Sequence, residues 1–151
     1  MHDRPRLTPA ATLLAVVALA AGCGDDAPQA PPDGAGPACT GLVGRTPDQV
    51  LGAGRSTPPD AAAGIATWGD PAIVLRCGVR AAGPTSAPCL TVDGVDWLLV
   101  EDADPVRFVT YGTRPVLEVS VPGEYERTSA PAVLTDLGPA ARSLPTTRRC
   151  T

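Results

Sequence analysis

The sequence predicts an α+β domain: a small, mostly antiparallel sheet of about five strands with one or two short helices, stapled by disulfides. Three observations predict it. Between Ile73 and Val121 apolar residues recur in short runs, several at every second position, separated by turn residues. Near the C-terminus Leu137, Ala140, Ala141 and Leu144 recur at helical spacing. Four cysteines, Cys39, Cys77, Cys89 and Cys150, are spread through the same region as an even set.

The chain opens with a different composition. Arg4 and Arg6 precede an almost wholly apolar or small stretch, Leu7 to Gly22, which is the layout of an export signal over residues 1–22. That stretch is shorter than the ~20 apolar residues a membrane-spanning helix needs. Leu19-Ala20-Ala21-Gly22 before Cys23 resembles the cleavage box of bacterial lipoproteins. The resemblance implies that Cys23 takes a diacylglyceryl group with palmitate-type chains and becomes the N-terminus after cleavage; the alternatives are an ordinary cleaved signal with Cys23 incidental, and an uncleaved anchor. A thiolate is the strongest ordinary side-chain nucleophile, which suits it to that transfer. Gly24 to Ala38 holds no large apolar residue and is rich in proline, glycine and aspartate. Residues 23–38 therefore read as a lipidated cysteine followed by a disordered tether, which could reach up to roughly 45 Å at the polyproline rise.

Residues 39–151 then read as one globular domain of ordinary small size. Leu42, Val43, Val50 and Leu51 predict a short helix or two turns near its start, against Gly41, Gly44 and Pro47, and Gly52 to Gly64 reads as a loop. Ile73 to Val79 is the first strand, with Ile73, Leu75, Cys77 and Val79 on one face and Arg76 on the other. Cys89 to Val92 is the second. Asp93-Gly94 has the residue types of a tight hairpin turn, and Val95 to Val100 returns as the third strand. Asp102 to Pro105 breaks the pattern before Val106 to Tyr111, the fourth. After a turn at Gly112 to Pro115, Val116 to Val121 alternates most cleanly, with Leu117, Val119 and Val121 inward. Asp136 is placed to cap the last helix, with Pro139 in its first turn and Pro145 as its stop.

Charge excludes some partners. The chain carries twelve basic and sixteen acidic residues. Loss of residues 1–22 would remove Arg4, Arg6, Asp3 and the sole histidine, His2, leaving a net charge near −5. Such an acidic surface, without basic clusters, is not that of a nucleic-acid binder. Attachment to a membrane would come from acyl chains and not from headgroup attraction.

In an exported domain the four remaining cysteines read as two disulfides. Their spacing favours Cys77 with Cys89, pinning the loop between two strands, and Cys39 with Cys150, joining the domain ends. No C-x-x-C pair is present, so neither a structural zinc site nor a redox dithiol is expected.

Longer strings carry a family resemblance. W-G-D-P-A-I-V-L-R-C-G-V (Trp68 to Val79), V-D-G-V-D-W-L (Val92 to Leu98), V-R-F-V-T-Y-G (Val106 to Gly112) and the closing L-P-T-T-R-R-C-T resemble the actinobacterial DUF3515 family of small exported proteins and lipoproteins. The resemblance covers 39–151. It implies export, paired cysteines and a cell-envelope location, and it implies no activity.

Chemistry is bounded more by what is missing. Without His2 there is no imidazole for Ser-His-Asp or Cys-His catalysis or for a histidine-ligated metal. No phosphate-binding glycine-rich loop occurs. Asp93, Asp96, Glu101, Asp102 and Asp104 cluster in sequence, and Asp96 with Glu101 are the pair a glycosidase would use if they faced each other across a cleft. Charged hairpin tips account for the same residues. Trp68 reads as a core anchor or as one wall of a ligand site. Arg76, Arg107 and Arg114 lie on or beside strands and offer an anion patch.

The sequence therefore reads as a lipid-anchored protein on the extracytoplasmic face of the cell membrane. It is expected to act without catalysis, cofactor or metal, as an interaction or accessory module with an envelope-protein or cell-wall partner. The alternatives are a carboxylate-dependent enzyme or binder on cell-wall glycan, and a binder of a small anionic ligand.

Overall fold

The computed structural model of the protein describes residues 28–126 and 129–151, with the backbone alone at Asp102. The expected signal over 1–22 and the expected lipidation point, Cys23, lie outside the described residues. The elements in chain order are α1 (Pro37–Val43), β1 (Gln49–Val50), β2 (Ala53–Gly54), β3 (Ile65–Trp68), β4 (Ile73–Val79), β5 (Cys89–Val92), β6 (Val95–Asp102), β7 (Val106–Thr110), β8 (Val116–Val121), a 3-10 turn (Gly123–Tyr125) and α2 (Ala132–Ala141). β1 and β2 form a small ribbon. The other six strands make one antiparallel sheet in the order β3-β4-β8-β7-β6-β5. The class is α+β as expected, with six strands in the main sheet where five were expected.

The added strand is β3. All four of its residues, Ile65 to Trp68, are buried, so it shows no alternation for a sequence reading to detect. The five expected strands form close to their expected limits. Asp93 and Gly94 both adopt positive φ, the geometry that a two-residue hairpin turn requires.

One face of the sheet builds the core. Ile73, Leu75 and Cys77 of β4 lie beside Leu117, Val119 and Val121 of β8, and Val106 and Phe108 of β7 continue the layer to Trp97 of β6. The helices cover this face: Cys39 and Leu42 enter it from α1, and Val133, Leu134 and Leu137 from α2. The opposite face carries Arg76, Glu118, Ser120 and Arg107 and also buries Ile65, Leu98 and Val109. Burying a leucine-sized side chain contributes roughly 1.5–3 kcal/mol. With one phenylalanine and two tryptophans in the chain, aliphatic side chains supply most of the core.

Both helices differ from expectation. α1 begins at Pro37, which is pre-set for a first helical turn, and ends before Gly44. Val50, expected in that helix, is instead in β1. α2 begins four residues before Asp136, burying Val133 and Leu134, so Pro139 lies in its last turns. Asp136 does not cap it; its Oδ2 accepts the backbone N–H of Leu51 at 2.8 Å and ties α2 to the turn between β1 and β2.

The packed domain also starts earlier than Cys39. Pro31 and Gly34 are buried, and the N–H of Asp33 donates to the carbonyl of Gly78 at 3.0 Å. A Cβ on Gly78 would lie 2.5 Å from the backbone of Asp33, so glycine permits this approach. Residues 31–38, expected in the tether, thus belong to the fold through backbone contact, without any large apolar side chain.

The four cysteines pair as Cys39 with Cys77 and Cys89 with Cys150, at Cα separations of 5.4 and 6.5 Å. The expected pairing of Cys77 with Cys89 is excluded by strand order. β8, β7 and β6 lie between β4 and β5. Four strand steps span about 19 Å, against the ~7 Å limit for a disulfide's Cα atoms. The expected Cys39 to Cys150 link is likewise replaced, because α1 packs on β4 while the C-terminal segment runs beside β6.

Candidate functional site

The acidic cluster does not assemble into a site. Asp96 is buried on β6: its Oδ1 accepts from the Thr91 hydroxyl at 2.7 Å, and its Oδ2 from the N–H of Cys150 at 2.8 Å. Both oxygens therefore hold the β5–β6 hairpin and the C-terminal segment together. Glu101 faces Arg107 across β6 and β7 at 3.7 Å, exposed to solvent. Asp104 accepts the N–H of Gly123 at 2.8 Å and fixes the start of the 3-10 turn. Asp93 in the hairpin turn is 3.8 Å from Arg142. Asp102 ends β6, its backbone registered with Val106. Asp96 and Glu101 are five positions apart on one strand, about 16 Å at the strand rise, whereas paired glycosidase carboxyls stand about 5–9.5 Å apart.

Trp68 is fully buried. Its Nε1 donates to the carbonyl of Pro47 at 2.9 Å, and the Arg55 guanidinium lies 5.3 Å from the ring centre. Arg55 in turn donates to the carbonyl of Thr46 at 2.9 Å, joining the β1–β2 ribbon to the sheet. Trp68 is therefore a core anchor, closed off from solvent. Cys89, Asp96 and Cys150 place one sulfur, one oxygen and one sulfur within 4.8 Å of one another. The two sulfurs are bonded to each other and the carboxylate is committed, so this set has no free donor for a metal.

Among the described residues the arginines divide into three groups. Arg76 faces Glu118 at 3.1 Å, Arg107 faces Glu101, and Arg142 faces Asp93. Arg45, Arg55 and Arg149 donate to neutral oxygens of Ser143, Thr46 and Gly94. Among the described residues Arg80, Arg114 and Arg148 have neither an ion-pair nor a side-chain hydrogen-bond partner. All three line one groove of about 490 Å³ at the end of the sheet. Of the expected anion patch, Arg114 lies in this groove, Arg76 and Arg107 are neutralised through the strand register, and Arg80 and Arg148 join from segments with no local signal.

The groove is assembled from three separate pieces of chain. Arg80 follows β4, Arg114 lies in the turn between β7 and β8, and Arg148 lies in the C-terminal segment. That segment is held along the turn by backbone bonds from Arg114 to Pro145 at 3.1 Å and from Thr147 to Gly112 at 2.7 Å. Gly112, at φ +73°, has no room for a Cβ, because the carbonyl of Arg148 occupies that space. Asp33 is the one carboxylate side chain in the lining. A second groove of about 640 Å³, whose lining includes Leu98 and the Cys89–Cys150 disulfide, shares Tyr111, Arg148 and Ala82 with the first.

The model of a family described as "Protein of unknown function (DUF3515)" matches residues 8–147. The chain belongs to this family. No curated protein and no solved structure matches the chain.

Proposed function

We propose that this DUF3515 member is a non-catalytic accessory module of the cell envelope, held at the extracytoplasmic face of the membrane by a lipid on Cys23. The observation that carries the reading is the cysteine economy. Cys39, Cys77, Cys89 and Cys150 are all consumed in two disulfides, a state that persists outside the reducing cytoplasm. Cys23 stands outside both pairs and follows an apolar stretch ending in small residues. The absence of catalysis is supported by the carboxylates: Asp96, Asp104 and Asp136 are spent on backbone groups and Glu101 on Arg107. Among the described residues no helix is long and apolar enough to cross a membrane.

Intact-mass spectrometry of the protein extracted from the membrane fraction tests this reading. The expected species begins at Cys23, carries a diacylglyceryl group and retains both disulfides. Cys23→Ala is expected to leave the membrane fraction. An unmodified Cys23, or a mature chain starting elsewhere, contradicts the anchor.

A further inference from the structure

We propose that the groove formed by Arg80, Arg114 and Arg148 is a binding site for a phosphate group carried on a small organic body. Three guanidiniums against the single Asp33 carboxylate leave an excess of two positive charges on a chain that is otherwise acidic. That excess matches a phosphate monoester, which carries about −1.5 to −2 at neutral pH, better than a lone carboxylate. Guanidinium forks suit phosphate oxygens in geometry as well as charge. The three residues line the groove from three pieces of chain, and among the described residues none of the three has an ion-pair or side-chain hydrogen-bond partner.

Size points the same way. The groove exceeds one phosphate, and its volume lies in the range of small-molecule sites. The adjoining groove, which shares Tyr111 and Arg148, is lined by Leu98 and the disulfide as well as by polar groups, and gives room for the rest of the ligand. The phosphate has two sources, a soluble ester or a lipid headgroup. Asp33 lines the groove, and Pro31, where the packed fold begins, lies eight residues beyond Cys23, a reach of at most about 25 Å. Headgroups are thus within range if Cys23 is anchored, while binding of a soluble ester is independent of any anchor.

The test is calorimetric titration of the oxidised, purified protein at physiological salt with glycerol 3-phosphate, with acetate as the carboxylate control. Phosphatidylcholine vesicles with and without phosphatidic acid form a second arm. Saturable binding of glycerol 3-phosphate, weakened about tenfold by Arg114→Gln or Arg148→Gln and within about twofold of the parent for Arg107→Gln, is the expected result. Binding only to phosphatidic acid vesicles, with the same variant pattern, assigns the phosphate to a headgroup. Three results overturn the proposal: no binding in either arm, acetate binding as tightly as the phosphate, or equal weakening by Arg107→Gln. Circular dichroism checks that each variant, altered only at an exposed side chain, keeps its fold.

Discussion

Arginines on the outer face of the sheet are neutralised, and arginines at the end of the sheet are not. Arg76 on β4 is registered directly opposite Glu118 on β8, and Arg107 on β7 opposite Glu101 on β6. Residues opposed in this way stand about 4.5–5.5 Å apart, so strand pairing itself brings an acid to each base. Arg80, Arg114 and Arg148 sit in a loop, a turn and an irregular segment, where no ladder supplies a partner. The difference teaches that positive charge gathers here where the strands stop. Pairing neutralises the arginines on the face of the sheet and leaves those at its end without counter-charges.

The comparison can be broken from the end of the sheet. The Cys89–Cys150 disulfide closes 61 positions and fixes the segment that carries Arg148. On the chain-entropy account its loss costs about 4 kcal/mol. Cys89→Ser with Cys150→Ser is expected to lower unfolding stability by about that amount in denaturant titration. It should also abolish phosphate binding at concentrations of denaturant where the sheet is still folded. Retained binding would mean that Arg148 is not held by this link.

It can be sharpened from the face. Arg76 and Glu118 are mostly buried at their side chains, whereas Arg107 and Glu101 are well exposed. Glu118→Gln leaves a half-buried guanidinium without its counter-charge and is expected to cost about 1–3 kcal/mol. Glu101→Gln, at an exposed pair, should cost at most about 0.5 kcal/mol. Equal costs, measured as denaturation midpoints at constant slope, would show that burial does not separate the two pairs.

Much of the sheet was legible from local pattern, because strands packed on one side must alternate. Leu117, Val119 and Val121 announce β8 in this way. β3 was not legible, since Ile65 to Trp68 are buried on both faces. The disulfide pairing was hidden for a topological reason: β4 and β5 are consecutive in sequence and four steps apart in the sheet. Asp96 looked like a surface turn acid. It is buried because the C-terminal segment, 54 positions away, brings a backbone N–H to it. The groove was hidden for the same reason. Arg80, Arg114 and Arg148 share no local pattern and meet only after β4, β7, β8 and the final segment are placed.

The most direct measurement is a nitrogen–proton NMR spectrum of the arginine Nε groups during titration with glycerol 3-phosphate. The account predicts that the Arg80, Arg114 and Arg148 signals shift together and saturate at one affinity, while those of Arg76 and Arg107 stay in place. Shifts spread evenly over all the arginines, or confined to Arg76 and Arg107, would contradict it.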